Sequence, residues 1–284
     1  MAEGSSWNTL LVDIDDVGVA TVTLNRPDKL NAITLEMDRE FFECMKKLDA
    51  EPEVRAIVVT GAGRAFCAGV DMSEGNPFDQ EAHAEHDESL GTSSETIDER
   101  AALWRLATPV IGAINGAAVG AGLTIATLFD VNIAAEDAKL GFVFTRRGIL
   151  PDASIHWLLP RLVGVQRALE LLMTGRTFTG AEAAEMGLVL RAVPADEVLA
   201  AARELARDIA VNTSPLAVGV AKRLVHHYLG ESSRGDAIRQ ETKLVWWSGE
   251  QPDAMEGVMS FMQQRAPEWK TDKHTELPEP IDWR

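Results

Sequence analysis

Gly61-Ala-Gly-Arg-Ala-Phe-Cys-Ala-Gly-Val-Asp-Met72 and Asn115-Gly-Ala-Ala-Val-Gly-Ala-Gly-Leu-Thr124 decide how this chain is read. Each follows a run of the buried-strand type, Val54 to Thr60 and Val110 to Ile114, rich in β-branched residues. Each is made of residues small enough to let another molecule approach the main chain. The second stretch runs into a short apolar helix, Ala121 to Leu128, and then into a further strand, Val131 to Ala135. Strand alternating with helix predicts an α/β fold with much of its sheet parallel.

Outward from these stretches, Thr9 to Ile14 and Val17 to Leu24 alternate around Asp15-Asp16, which predicts a β-hairpin. From Thr34, an N-cap, Leu35, Met37, Phe41, Met45 and Leu48 fall on one helical stripe. Gly69 to Glu95 reads as a surface loop, and a helix follows it to about Leu106. After Pro194 the strands give way to helices over Ala195 to Ala210, Pro215 to Tyr228, Asp236 to Trp247 and Asp253 to Gln264. The expected division is a core over residues 1–211 and a helical region with an extended tail over residues 212–284. Trp269 and Trp283 suggest that the tail packs against something.

Lysine and arginine number 27 and aspartate and glutamate 44, a formal charge of −17 that repels phosphate backbones and argues against nucleic-acid binding. Cys44 and Cys67 are the only cysteines, too few for a disulfide framework in 284 residues. The opening residues Met1 to Asn8 carry no apolar export segment, and no run suits a membrane span. A cytoplasmic protein is expected.

Two unpaired backbone N–H groups, one from each glycine-rich turn, can converge on a single carbonyl oxygen and hold an enolate or tetrahedral oxyanion. The helix starting at Ala121 adds positive potential there. Taken singly, each turn also reads as close packing after a strand. Neither carries a Walker loop or a dinucleotide fingerprint. His83 and His86 have a His-x-x-His spacing, but among Glu85, Asp87 and Glu88 they read as a solvated charge cluster, so no metal is expected.

In series with Asn25-Arg-Pro-Asp-Lys-Leu-Asn-Ala32, Pro109-Val-Ile-Gly-Ala-Ile-Asn-Gly116 and Leu171-Leu-Met-Thr-Gly-Arg176, these stretches resemble the crotonase (enoyl-CoA hydratase/isomerase) superfamily from about Thr9 to Arg265. The resemblance implies a spiral of ββα units with a C-terminal helical trimerisation region, assembled as a homotrimer or a hexamer of paired trimers. It implies an acyl-CoA thioester substrate and no cofactor beyond the coenzyme A that the substrate carries. By motif position, Val70 and Ala121 would donate the two oxyanion N–H groups. Ala68, Asp71 and Met72 would border the adenine and pantetheine, while Arg26, Lys29 and Arg265 would meet phosphate.

The chain also departs from that pattern. Hydratases of the family use two glutamates, and the matching positions here are Thr124 and Phe144. Asp152 stands where dienoyl-CoA isomerases and aryl-CoA dehalogenases carry a catalytic aspartate, in a pocket expected to be lined by Phe144 and Trp157. Read without the family, Asp152 is better taken as the N-cap of the helix through Trp157, and the family position reverses that preference. Glu74 is a candidate second acid. Returning a proton near its origin needs one base, so double-bond isomerisation leads over hydration. The alternatives are Asp152 as a nucleophile in a hydrolase or dehalogenase, and a non-catalytic acyl-CoA binding protein.

Overall fold

A computed structural model describes residues 7–73, 102–151, 154–230 and 233–278. The expected hairpin forms from β1 (Leu10–Ile14) and β2 (Val19–Leu24), with Leu10 opposite Leu24. Asp15 shapes its turn by accepting the Val17 and Val19 amides at 3.0 and 2.9 Å. Helix α1 (Leu35–Ala50) begins at Thr34, whose hydroxyl accepts the Met37 N–H at 3.1 Å. Met37, Phe41, Met45 and Leu48 are buried as their spacing requires, whereas Leu35, in the first turn, is 40% exposed.

The chain then alternates between two sheets. β3 (Ala56–Gly61), β5 (Val110–Ile114) and β7 (Val131–Ala135) join the hairpin, and β10 (Arg191–Val193) completes the order β1-β2-β3-β5-β7-β10. Every pairing in this sheet except β1 with β2 is parallel. β4 (Ala65–Cys67), β6 (Ala117–Val119), β8 (Leu140–Gly141) and β9 (Thr177–Phe178) form a smaller second sheet in that order. Each step along the chain from β3 to β8 thus adds one strand to each sheet, which is the spiral the resemblance implied. The central strands β3 and β5 are buried throughout, so both faces of the large sheet are covered.

Helices close the layers. α2 (Ala102–Arg105) precedes β5, and α3 (Ala121–Ala126) follows β6. A 3-10 turn (Val143–Arg147) leads to α4 (Ile155–Val163), α5 (Val165–Thr174) and α6 (Gly180–Met186). α7 (Val198–Asn212) buries Val198, Ala202, Ala206 and Ala210, a seam of mostly small side chains at a spacing of four, and lies on β3, β5 and β7.

The C-terminal helices are α8 (Pro215–Tyr228), α9 (Arg234–Gly249) and α10 (Pro252–Gln263). They are fastened to their own chain at Thr108. Lys222 of α8 donates to Thr108 O at 3.0 Å and pairs with Asp130 at 2.8 Å. Lys273 of the tail donates to Thr108 Oγ1 and Val54 O at 2.7 Å and to Glu51 O at 2.9 Å. Asp49 accepts the Thr108 amide and hydroxyl at 2.8 and 2.7 Å. Burial pushes the Lys273 ammonium down to about 8. Trp269 donates to Val211 O at 3.2 Å, so the tail does pack on the core; Trp283 lies outside the described residues.

Candidate active site

The segment Arg26 to Ile33 and the turn Gly69 to Asp71 form one clasp. The Ile33 N–H donates to Gly69 O and the Asp71 N–H donates to Ile33 O, both at 2.8 Å, a single parallel bridge centred on Val70. The Ala68 N–H donates to Leu30 O at 3.0 Å. Of the four consecutive amides from Ala68 to Asp71, those of Gly69 and Val70 have no acceptor among the described residues. A parallel bridge of this pattern points the central residue's own N–H away from its partner strand. For Val70 that is away from Ile33.

The second turn lies against the first. Gly69 adopts φ +98°, and a Cβ built there would sit 2.8 Å from Val119 O and 3.7 Å from the Ala121 nitrogen. A Cβ on Gly122 would meet Cys67 O at 2.4 Å. Both glycines therefore exist for close approach between β4 and the start of α3. Ala121 is the first residue of α3, where the helix leaves its own amides without internal partners. The structure brings Val70 and Ala121 onto facing turns. Two asparagines hold the frame behind them. Asn115 bonds both Gly61 N and Gly61 O, and Asn31, fully buried with φ +55°, donates to Ala62 O and Ala65 O.

Thr124 is fully buried one turn into α3, and its hydroxyl donates to Ala121 O at 3.0 Å. Phe144 is half-buried, its Cζ 4.0 Å from where a Gly120 Cβ would be. The positions that would carry two carboxylates thus present a back-bonded hydroxyl and a phenyl ring. Trp157, expected beside Phe144, packs against Trp104 at 5.9 Å between ring centroids, and Arg161 sits 3.8 Å over its ring. Trp104 in turn stacks on His226 at 4.8 Å, and His226 bonds Asp130 at 3.0 Å. No contact recorded among the described residues joins Trp157 to Phe144.

Asp152 and Glu74 lie outside the described residues, as do His83 and His86. The helix cap expected at Asp152 falls elsewhere: α4 starts at Ile155 with Ser154 as its N-cap. Ser154 has φ +58° and makes no side-chain cap of its own.

Three cations were expected to meet phosphate. Lys29 is exposed at the end of a 3-10 turn (Pro27–Lys29). Arg26 is paired with Asp71 at 3.0 Å, with side chains only 18% and 6% exposed. Arg265 is paired with Glu256 at 2.5 Å, which holds that carboxyl down to about 2. Ala68 is half-buried and Met72 is 65% exposed beside the Val70 turn. The sequence gave no signal for the Ile33 bridge or the Arg26–Asp71 pair, because both join residues remote along the chain.

Beneath the two turns lies an apolar cavity lined by Ile33, Met37, Phe41, Phe66, Cys67 and Gly122, among others. Burial in these dry surroundings pushes the Cys67 thiol up to about 12. Among the described residues no cluster of three or more histidine, cysteine or acidic side chains offers a metal site. None of the described helices is long and apolar enough to cross a membrane.

Residues 15–272 match the family model described as enoyl-CoA hydratase/isomerase. This chain belongs to the enoyl-CoA hydratase/isomerase family. It is 35% identical over 279 residues to the enoyl-CoA hydratase ACTT3 of Alternaria alternata, covering 98% of this chain and 92% of that protein. It is equally 35% identical, over 255 residues, to the 1,2-epoxyphenylacetyl-CoA isomerase of Escherichia coli (strain K12), covering 89% and 95%. The crystal structure of an enoyl-CoA hydratase from Bacillus anthracis superposes with a TM-score of 0.83 at 33% identity, over 92% of this chain and 99% of that one. Membership makes the chain an acyl-CoA enzyme of the hydratase/isomerase type. Relatives named as hydratase and as isomerase stand at the same identity, so their names do not choose between the two reactions.

Proposed function

We propose that this protein binds an acyl-CoA thioester, stabilises its enolate with the Val70 and Ala121 N–H groups, and moves a proton within the acyl chain through Asp152. The observation that carries the reading is the facing pair of turns, in which the Val70 and Ala121 amides both lack an acceptor among the described residues. Main-chain donors held by strands need no reorganisation as charge develops on the thioester oxygen. Isomerase-like chemistry is favoured over hydration because Thr124 is committed to Ala121 O and Phe144 is apolar. Neither can position a water as a carboxylate does.

In this reading Ala68, Asp71 and Met72 border the coenzyme A, and Lys29 serves its phosphates. No cofactor beyond the substrate's own coenzyme A takes part. The protein works as a homotrimer or hexamer. That assembly is supported by the apolar side chains left exposed on α9 and α10, among them Trp246 at 75%, Phe261 at 84% and Met262 at 72%. Residues 212–284 are the region proposed to carry it. A cytoplasmic setting is supported by the unpaired, buried Cys44 and Cys67.

Asp152→Asn tests the proton shuttle, since it keeps the shape and removes the titratable proton. On a mixed enoyl-CoA panel in heavy water, exchange and double-bond migration should fall by about 10²–10⁴-fold, the usual contribution of a positioned acid or base. Thioester binding and folding should persist. Equal rates in mutant and wild type remove Asp152 from the mechanism, and binding without turnover in the wild type favours a non-catalytic role.

A further inference from the structure

We infer that Arg26 is a positioning residue, acting through Asp71 to hold in place the turn that presents the Val70 N–H. The inference rests on the oxyanion reading above, and it assigns Arg26 to the main chain of the site rather than to a substrate phosphate.

The turn that carries Val70 has few fastenings. Its Val70 side chain is 45% exposed and so packs little, and Gly69 has no side chain and sits at φ +98°. One bridge of two hydrogen bonds ties it to Ile33; it directs the Val70 N–H through Gly69 O, which shares its peptide plane, but it is the turn's single main-chain tie to that strand. The Asp71 side chain supplies the remaining anchor. Its Oδ1 accepts the Ser73 amide and hydroxyl at 3.0 and 2.6 Å, and its Oδ2 faces the Arg26 guanidinium at 3.0 Å. Oδ2 is buried and makes no formal hydrogen bond, so its charge is met by Arg26 alone among the recorded partners.

Arg26 is well placed for this. Its backbone N–H donates to Asn31 Oδ1 at 2.9 Å and its Nη1 donates to Ala32 O at 2.5 Å. The Arg26 main chain is thereby anchored to the fully buried Asn31, and its guanidinium to the residue before the bridge. The guanidinium links the two halves of the clasp, one end on Ala32 and the other on Asp71. The bonds from Ser73, with Arg26 beside them, hold the Asp71 carboxyl at about 2, so the pair stays charged across any working pH. Removing one partner of so enclosed a pair leaves the other uncompensated, which moves the turn rather than merely weakening it.

The test compares an enoyl-CoA with the matching enoyl-pantetheine, which has no phosphate, on wild type, Arg26→Gln, Arg26→Lys and Asp71→Asn. Positioning predicts that Arg26→Gln lowers kcat by about 10²-fold on both substrates, the scale set by a displaced oxyanion donor, with KM changed only a few-fold. Arg26→Lys should recover part of the loss, and Asp71→Asn, which keeps the shape, should reproduce it even if Arg26→Gln folds poorly. A rise in KM confined to the coenzyme A substrate, with kcat intact, would assign Arg26 to phosphate and overturn the inference. Unchanged kcat on both substrates would overturn it as well. Hydrogen exchange of the Asp71 amide gives a readout independent of turnover. Arg26→Gln should speed it about tenfold, and unchanged protection refutes the positioning role. A wild type inactive on every thioester would refute the proposed function and leave that exchange measurement to decide on Arg26.

Discussion

A methyl group at position 122 would have to enter space the chain already fills. Its Cβ would lie 2.4 Å from Cys67 O and 2.7 Å from both Cys67 Cβ and Sγ, where ordinary contact begins at 3.4 Å. The start of α3 must then move away from β4 by about 1 Å, the difference between those limits. Overpacking of this kind costs about 1–3 kcal/mol. Alanine's better helix propensity returns about 1 kcal/mol, so Gly122→Ala should cost about 0–2 kcal/mol of stability. The movement falls on the spacing of the two proposed donors, where 1 Å can lower the rate by about 10²-fold. Thermal melting and steady-state turnover on the best enoyl-CoA should therefore separate, with melting lowered by at most about 8 °C, the protein still folded at assay temperature, and kcat strongly reduced. Cys67→Ala in the same background removes only the sulfur and leaves the carbonyl clash, so it should not restore activity. Full activity in Gly122→Ala, or its recovery in the double mutant, would refute the reasoning.

Further outcomes follow from the same coordinates. Lys273 has a folded pKa of about 8 against an unfolded value of 10.5, so the unfolded chain binds more protons between those limits. That group makes stability rise with pH across the window, and melting temperatures from pH 7.5 to 10.5 should show a rising component that Lys273→Met lacks. Phe261→Asp with Met262→Lys should shift light scattering from trimer or hexamer toward monomer; wild type that is monomeric at micromolar concentration refutes the assembly. Cys44 and Cys67 are both buried with thiols pushed up to about 12, so an aromatic disulfide reagent should release no colour at pH 8 until denaturant is added.

Five strands of the large sheet were legible because they are five or six residues rich in β-branched and apolar side chains, and Val110–Ile114 and Val131–Ala135 fall on their predicted bounds; β10, three residues long, was not. Nor was the second sheet. β4, β6 and β8 are two or three residues long and rich in alanine and glycine, too short to show a period and lacking β propensity. They exist because neighbouring strands offer them partners, which no local window contains. The donor turns were visible as glycine-rich sequence, yet what frees the Val70 amide is the Ile33 bridge, remote along the chain. Leu35 belongs to the apolar stripe by spacing and is exposed all the same.

The turns that present Val70 and Ala121 leave from adjacent strands of one parallel ladder, β4 and β6. Strands in such a ladder stand about 4.8 Å apart, a dimension set by main-chain hydrogen bonds and common to all sequences. The gauge of the proposed oxyanion frame is therefore inherited from the backbone. In that reading, side chains at 70, 124 and 144 can be exchanged around it, altering which proton moves and which substrate enters, while the ladder spacing behind the two N–H groups stays the same.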